Sequence, residues 1–245
     1  MGNSRNHYVP IPDRGDYLPR KLPIRVWLLA SLAFIVAYVF MWSFVHVRVD
    51  MQPCLTHLPD PLFPLIPFDR RWFWVSHDVY EVITICAVVA LVVQAIRGDH
   101  RGLVRWGSAL TVQALLRSST LLLLPLCRID VEPGTVELTQ VPMLDLGLFK
   151  IPWRVWASND LVFSGHIGEF LLLFWATRNF PKPVRWFLVV FQFVQAYALI
   201  ATRGHYFVDL LVAVPCAYFA DGVAVSALAW LAGPPNSGLK AVGSA

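Results

Sequence analysis

Charge is what this chain has least of. Of its 245 residues only 15% are Asp, Glu, Lys or Arg, while 57% are hydrophobic and the mean hydropathy is +0.57. A soluble domain typically has about 25% charged and about 45–50% apolar residues. One water-soluble core is therefore excluded, and an integral membrane protein is expected. Cysteine is scarce too, and Cys54, Cys86, Cys127 and Cys216 lack metal-type spacing. Cys86 and Cys216 fall in apolar runs and read as small buried residues. Cys54 and Cys127 fall near the same membrane face, which leaves a disulfide open. The start, MGNSRN, has Asn6 where a myristoylation signal needs Ser or Thr. No cleavable signal peptide is expected before the first apolar stretch. There is no internal repeat, low-complexity tract or linker, so one domain is the simplest account. The sequence pI is near 9.0, yet the basic residues flank apolar segments instead of forming a patch, which argues against nucleic-acid binding.

What is abundant is apolar sequence in span-length pieces. A membrane span needs roughly 20 apolar residues, with about 17 as the lower limit. Six candidates lie at about 25–46, 74–96, 103–126, 161–177, 186–202 and 206–220. Residues 222–232 follow Asp221 and read as an interfacial tail. The N-terminus through Arg25, the 97–105 and 178–185 turns and the C-terminus together hold 12 Lys/Arg, against 6 Lys/Arg and 8 Asp/Glu in 48–74 and 128–160. The positive-inside rule then makes both termini cytoplasmic and the two long loops lumenal or periplasmic. The expected organisation is all-α: a cytoplasmic segment 1–24, a six-helix membrane catalytic domain 25–232, and a disordered cytoplasmic tail 233–245. Everything reactive then gathers at the non-cytoplasmic face.

Three constellations lie there. In RGHYFVDLL (203–211), His205 and Asp209 are four residues apart. On a helix they share a face, and the carboxylate can hold the imidazole Nδ1–H while Nε2 stays free. In DLVFSGHIGEF (160–170), His166 follows a Ser164–Gly165 step that permits close backbone approach, and Glu169 lies three residues on. Arg117, in LLRSSTLLLLP, costs about 2.5–3.5 kcal/mol inside a span unless it meets an anion or a cavity. An internal carboxylate and a substrate phosphate are both open as its partner. Two histidines, several carboxylates and two arginines (Arg117 and Arg203) on one face suit phosphoryl transfer without a metal. One imidazole attacks phosphorus, the other handles protons, and the arginines stabilise the oxygens. Spacing does not say which histidine attacks.

FSGHIGEFLLLF followed by HYFVDLLVA resembles the paired motifs of the sphingomyelin synthase and ceramide phosphotransferase branch of the lipid phosphate phosphatase (PAP2) superfamily. Asp160, Ser164, Gly165 and His166 match its D-x-x-x-S-G-H; His205, Tyr206 and Asp209 match H-Y-T-x-D, with Phe207 in place of Thr. LPDPLFPLIP (58–67) resembles its L-P-D segment, and RSSTLLLLP (117–125) its R-x-x-T…L-P segment, two residues shorter. Where the branch has Ser then Glu at the start of span two, this chain has Ser76, His77 and Asp78. The K-x6-R-P motif of the wider phosphatase group is absent. The resemblance covers roughly residues 55–220.

It implies six helices, His205 as nucleophile supported by Asp209, and His166 as general acid/base with Asp160 as partner. On the residues themselves, Arg117, Arg203, Ser164 and Gly165 are candidate contacts to the substrate phosphate, with His77, Asp78, Glu169 and Tyr206 as candidate supporting groups. No metal or other cofactor is implied. The expected partners are membrane lipids: a glycerophospholipid donor, and ceramide or another lipid alcohol as acceptor. With water as acceptor the same site is a lipid phosphate phosphatase or phospholipase C. An inert lipid sensor would be expected to lose a histidine, and a transporter would spread its ionisable groups over several depths. A homo-oligomer is left open.

Overall fold

The computed structural model describes residues 18–45, 58–124, 126, 144–145, 150–151 and 163–233. Asp160, Cys54, Cys127, most of the segment 1–24 and the tail beyond Gly233 lie outside them. The described residues form six α-helices: α1 (Ile24–Phe40), α2 (Tyr80–Ile96), α3 (Arg101–Leu123), α4 (Gly165–Ala176), α5 (Lys182–Ala201) and α6 (Phe207–Ala232). A π-helical turn, Met41–Val45, extends α1, and another, Val75–Val79, leads into α2 behind a short 3-10 turn, Arg70–Trp72. A two-residue antiparallel pair, β1 (Leu144–Asp145) with β2 (Lys150–Ile151), lies between α3 and α4.

Local chemistry marks the helix ends. Gly98, at φ +94°, turns the chain between α2 and α3, and Gly233, at φ +80°, closes α6. Both use the left-handed region that glycine enters without steric cost. Pro183 sits in the first turn of α5, where a missing N–H has no partner to lose. Inside the bundle, α3 packs against α1, α4 and α6. Ala213, Ala217, Ala220 and Ala224 present one small, buried stripe of α6, which lets helix backbones approach closely in an apolar bundle.

The outer faces are apolar as well. Leu28, Leu32, Val36, Val82, Val89, Phe193, Leu211 and Phe219 are all exposed, an arrangement suited to lipid and not to water. Among the described residues, three helical stretches are long and apolar enough to cross a membrane: Arg70–Ile96, Lys182–Ala201 and Phe207–Ala232. This is an integral membrane protein. Helices α1 and α4 are shorter apolar helices. Helix α3 keeps Arg105, Gln113 and Arg117 buried among its neighbours, shielded from lipid.

Two expectations need correction. Residues 222–232 do not form a separate interfacial tail, because α6 runs unbroken to Ala232. Asp221 does not end the helix because it is neutralised inside the bundle: Arg105 Nε and Nη2 donate to its two carboxylate oxygens at 2.6 and 2.8 Å. Cys86 is exposed on the apolar outer face and Cys216 is half-buried, so neither fills the core. Asp221→Ala leaves a buried guanidinium without its counter-ion and should cost about 3–5 kcal/mol. Thermal denaturation in detergent should show that loss, and the apolar double variant Arg105→Met/Asp221→Leu should recover most of it.

Candidate active site

The site forms where the starts of α4 and α6 meet. Ser164 caps α4, its Oγ accepting the Ile167 N–H at 3.3 Å. Its own N–H donates to the Asp209 carbonyl at 3.0 Å, tying the two motif segments together through backbone. Phe163 and Arg203, one residue before Ser164 and two before His205, are the two non-glycine residues with positive φ among those described, at 43° and 57°. Such conformations cost of order 1–3 kcal/mol and persist where surrounding contacts demand them. Here they turn the chain so that Ser164 and His205 enter the bundle.

His205 is not on a helix. It sits in the turn ahead of α6, and Asp209, in the helix's first turn, reaches back. The carboxylate accepts the Tyr206 N–H at 3.0 Å and lies 3.5 Å from His205 Nδ1. The two side chains meet as the four-residue spacing suggests, through a helix cap instead of one helical face, but at this distance His205 Nδ1 makes no hydrogen bond to the carboxylate. Nδ1 faces the carboxylate, so Nε2 is the ring nitrogen left for chemistry. The His166 ring stands edge-on to His205, with centroids 5.9 Å apart. All three side chains are buried: His205 and Asp209 are 2% exposed and His166 is 8%.

Arg117 comes to the same place from α3. A Cβ added at Gly165 would lie 3.0 Å from the guanidinium carbon and closer still to Nη1. The glycine therefore makes room for a cation at the start of α4, beside a helix N-terminus. That combination suits an anion. From the same helix, Gln113 Nε2 donates to the Gly165 carbonyl at 3.4 Å. Glu169, one turn deeper in α4, shares its surroundings with Tyr80 and Arg117.

The π-helical turn at 75–79 decides which residues of VSHDVYE reach the site. His77 comes within 6.0 Å of His166, centroid to centroid, and Tyr80 packs edge-on against it at 4.8 Å. Asp78 faces outward and is exposed. The Ser76 carbonyl accepts from Gln195 Nε2 of α5 at 2.9 Å, which supports a turn whose hydrogen-bond ladder is broken. Tyr80 was not singled out in the sequence; its signal was only its place three residues after His77.

Arg203 is brought near but not into this centre. Its guanidinium donates to the carbonyls of Ile200, Phe63 and Ile66 at 3.0, 3.1 and 2.9 Å. Tyr206 is buried, with its ring stacked on Phe63 at 5.9 Å. Asp60, of the L-P-D segment, accepts the Phe207 N–H at the start of α6, a role that spacing alone did not suggest. Among the described residues no group of three or more His, Cys, Asp or Glu side chains is placed to hold a metal ion.

Ser164→Ala removes the α4 cap and should lower unfolding stability by about 0.5–2 kcal/mol, whereas Ser164→Gly should cost only a few tenths. Chemical denaturation of the three proteins checks the order.

No curated protein and no solved structure matches the chain. Residues 158–220 match the family model described as PAP2 superfamily C-terminal. The matched segment contains Ser164, Gly165, His166, His205 and Asp209, and the match supports the PAP2 superfamily and, with it, an enzyme of the lipid phosphatase or phosphotransferase type.

Proposed function

We propose that this protein is a lipid phosphotransferase of the sphingomyelin synthase type. It takes a phospho-headgroup from a glycerophospholipid, releases diacylglycerol, and passes the headgroup to ceramide or a similar lipid alcohol. The observation that carries this reading is the buried His205–Asp209 pair facing His166, with Arg117 at the same helix start.

The chemistry follows from those positions. Asp209 holds the His205 tautomer and stabilises charge on the ring, while Nε2 attacks phosphorus. His166 gives a proton to the departing diacylglycerol oxygen and later takes one from the incoming alcohol. Arg117 and the N–H groups at the start of α4 stabilise the equatorial oxygens. Asp160 is the partner we assign to His166. His77 and Glu169 support the same centre through their proximity to His166 and Arg117. The six helices are taken to be six spans with both termini cytoplasmic, which puts the site on the lumenal or periplasmic side. A cysteine introduced into the 178–185 turn should then react only with a reagent applied from the cytoplasmic side.

The test is a mixed-substrate assay: purified protein, headgroup-labelled glycerophospholipid, with and without ceramide. Transfer puts the label into a new lipid. Label found only in water-soluble products, with ceramide present, would replace the transferase by a phospholipase C or phosphatase using the same residues. His205→Ala and His166→Ala should each lower turnover by about 10²–10⁴-fold, and Asp209→Asn should lower it severely. Full activity in either histidine variant would end the mechanism. Gly165→Ala displaces the Arg117 guanidinium and should cost up to about 10²-fold, as small misplacements do.

A further inference from the structure

We propose that residues 58–69 form a cap, locked by Asp60, Arg203 and Phe63, that selects a lipid alcohol over water as acceptor. The proposal rests on the phosphotransfer reading above and assigns a residue-level cause to its one unexplained requirement. At a phosphohistidine, the attacking oxygen forms a P–O bond as the P–N bond breaks. The electron pair returns to the His205 nitrogen and the attacker's proton goes to His166. This step balances identically for a lipid alcohol and for water, and the catalytic groups are the same. Discrimination must therefore come from access.

The segment is joined to 200–207, the stretch containing His205, at four points. The Asp60 carboxylate accepts the Phe207 N–H with one oxygen and the Leu62 N–H with the other, at 2.8 Å. Arg203 Nη2 holds the Phe63 and Ile66 carbonyls together. The Asp69 N–H donates to the Ala201 carbonyl at 3.0 Å. The Phe63 ring lies between Arg203, whose guanidinium is 4.1 Å from the ring centroid, and Tyr206, on which it stacks. Leu62, Phe63 and Ile66 pack inward against Phe163, Ile167, Leu199, Ile200 and Leu210, over the starts of both motif helices.

Composition makes the segment a stiff and dry cover. Pro59, Pro61, Pro64 and Pro67 leave few N–H groups to hydrate and restrict the backbone. Leu65 projects outward, 75% exposed, while its neighbours Leu62, Phe63 and Ile66 pack inward. An arginine held by three carbonyls and an aromatic face is a fastener for that cover, not a phosphate contact. In this proposal the apolar side chains of the segment, packed over the starts of both motif helices, keep bulk water from His205.

The test uses the full chain in lipid nanodiscs with Arg203→Met, Asp60→Asn and Phe63→Leu. The last removes the ring contacts and leaves every hydrogen bond in place, so one variant remains informative if another fails to fold. Two readouts are taken with headgroup-labelled phosphatidylcholine or phosphatidylethanolamine plus ceramide. One is the share of label released to water relative to that in lipid product. The other is the rate at which diethylpyrocarbonate modifies His205, read by peptide mass. We expect both to rise several-fold in folded variants. An unchanged modification rate overturns the cap, whatever reaction the wild type performs. Faster modification with an unchanged product share overturns acceptor selection. A wild type that only hydrolyses while its His205 is protected overturns the transferase reading, and acceptor selection with it.

Discussion

Asp209 is the joint on which the centre depends. Its carbonyl accepts the Ser164 N–H, its carboxylate accepts the Tyr206 N–H, and the same carboxylate stands beside His205. One residue thus caps α6, aligns the proposed nucleophile and anchors the segment that delivers His166. The cost of burying a carboxylate in an apolar bundle is lowered by the Tyr206 N–H it accepts and by the imidazole beside it. A neutral side chain of similar shape would keep the backbone joint and lose the electrostatic one.

Helix α3 brings polar chemistry into the bundle without exposing it to lipid. Its two buried arginines are twelve residues apart, about 18 Å along the axis. They serve different neighbours: Arg105 meets Asp221 of α6, and Arg117 meets the start of α4. The first neutralises a charge pair and keeps α6 continuous. The second lies beside Gly165 at the start of α4, a place that suits an anion. Identical residue types on one helix therefore have different surroundings: a structural clamp at one end and, in the proposed function, a phosphate contact at the other.

Backbone strain sits beside both histidine segments and is countered by the segment 58–69. Arg203 adopts a left-handed conformation while its guanidinium is fixed by three carbonyls. The turn that carries His205 is thus held from both the helix side and the loop side. The π-helical turn before α2 acts similarly on His166, directing His77 and Tyr80 toward it and Asp78 away.

Residue types and short spacings were sufficient for much of this. The apolar excess specified a membrane protein, the helix positions followed from span-length runs, and His205–Asp209 and the Ser164–Gly165–His166 step were readable because their partners are neighbours in the chain. Tertiary structure decided what depends on residues far apart in sequence. Arg203 reads as a phosphate contact until the carbonyls of Phe63 and Ile66 are seen to occupy it. Asp221 reads as the end of a span until Arg105 is placed against it. His77 and Asp78 are equivalent candidates until a π-helical turn, braced by Gln195, aims one inward. In each case a polar group in an apolar medium takes whichever partner the fold brings within hydrogen-bond distance, and local sequence does not encode that distance.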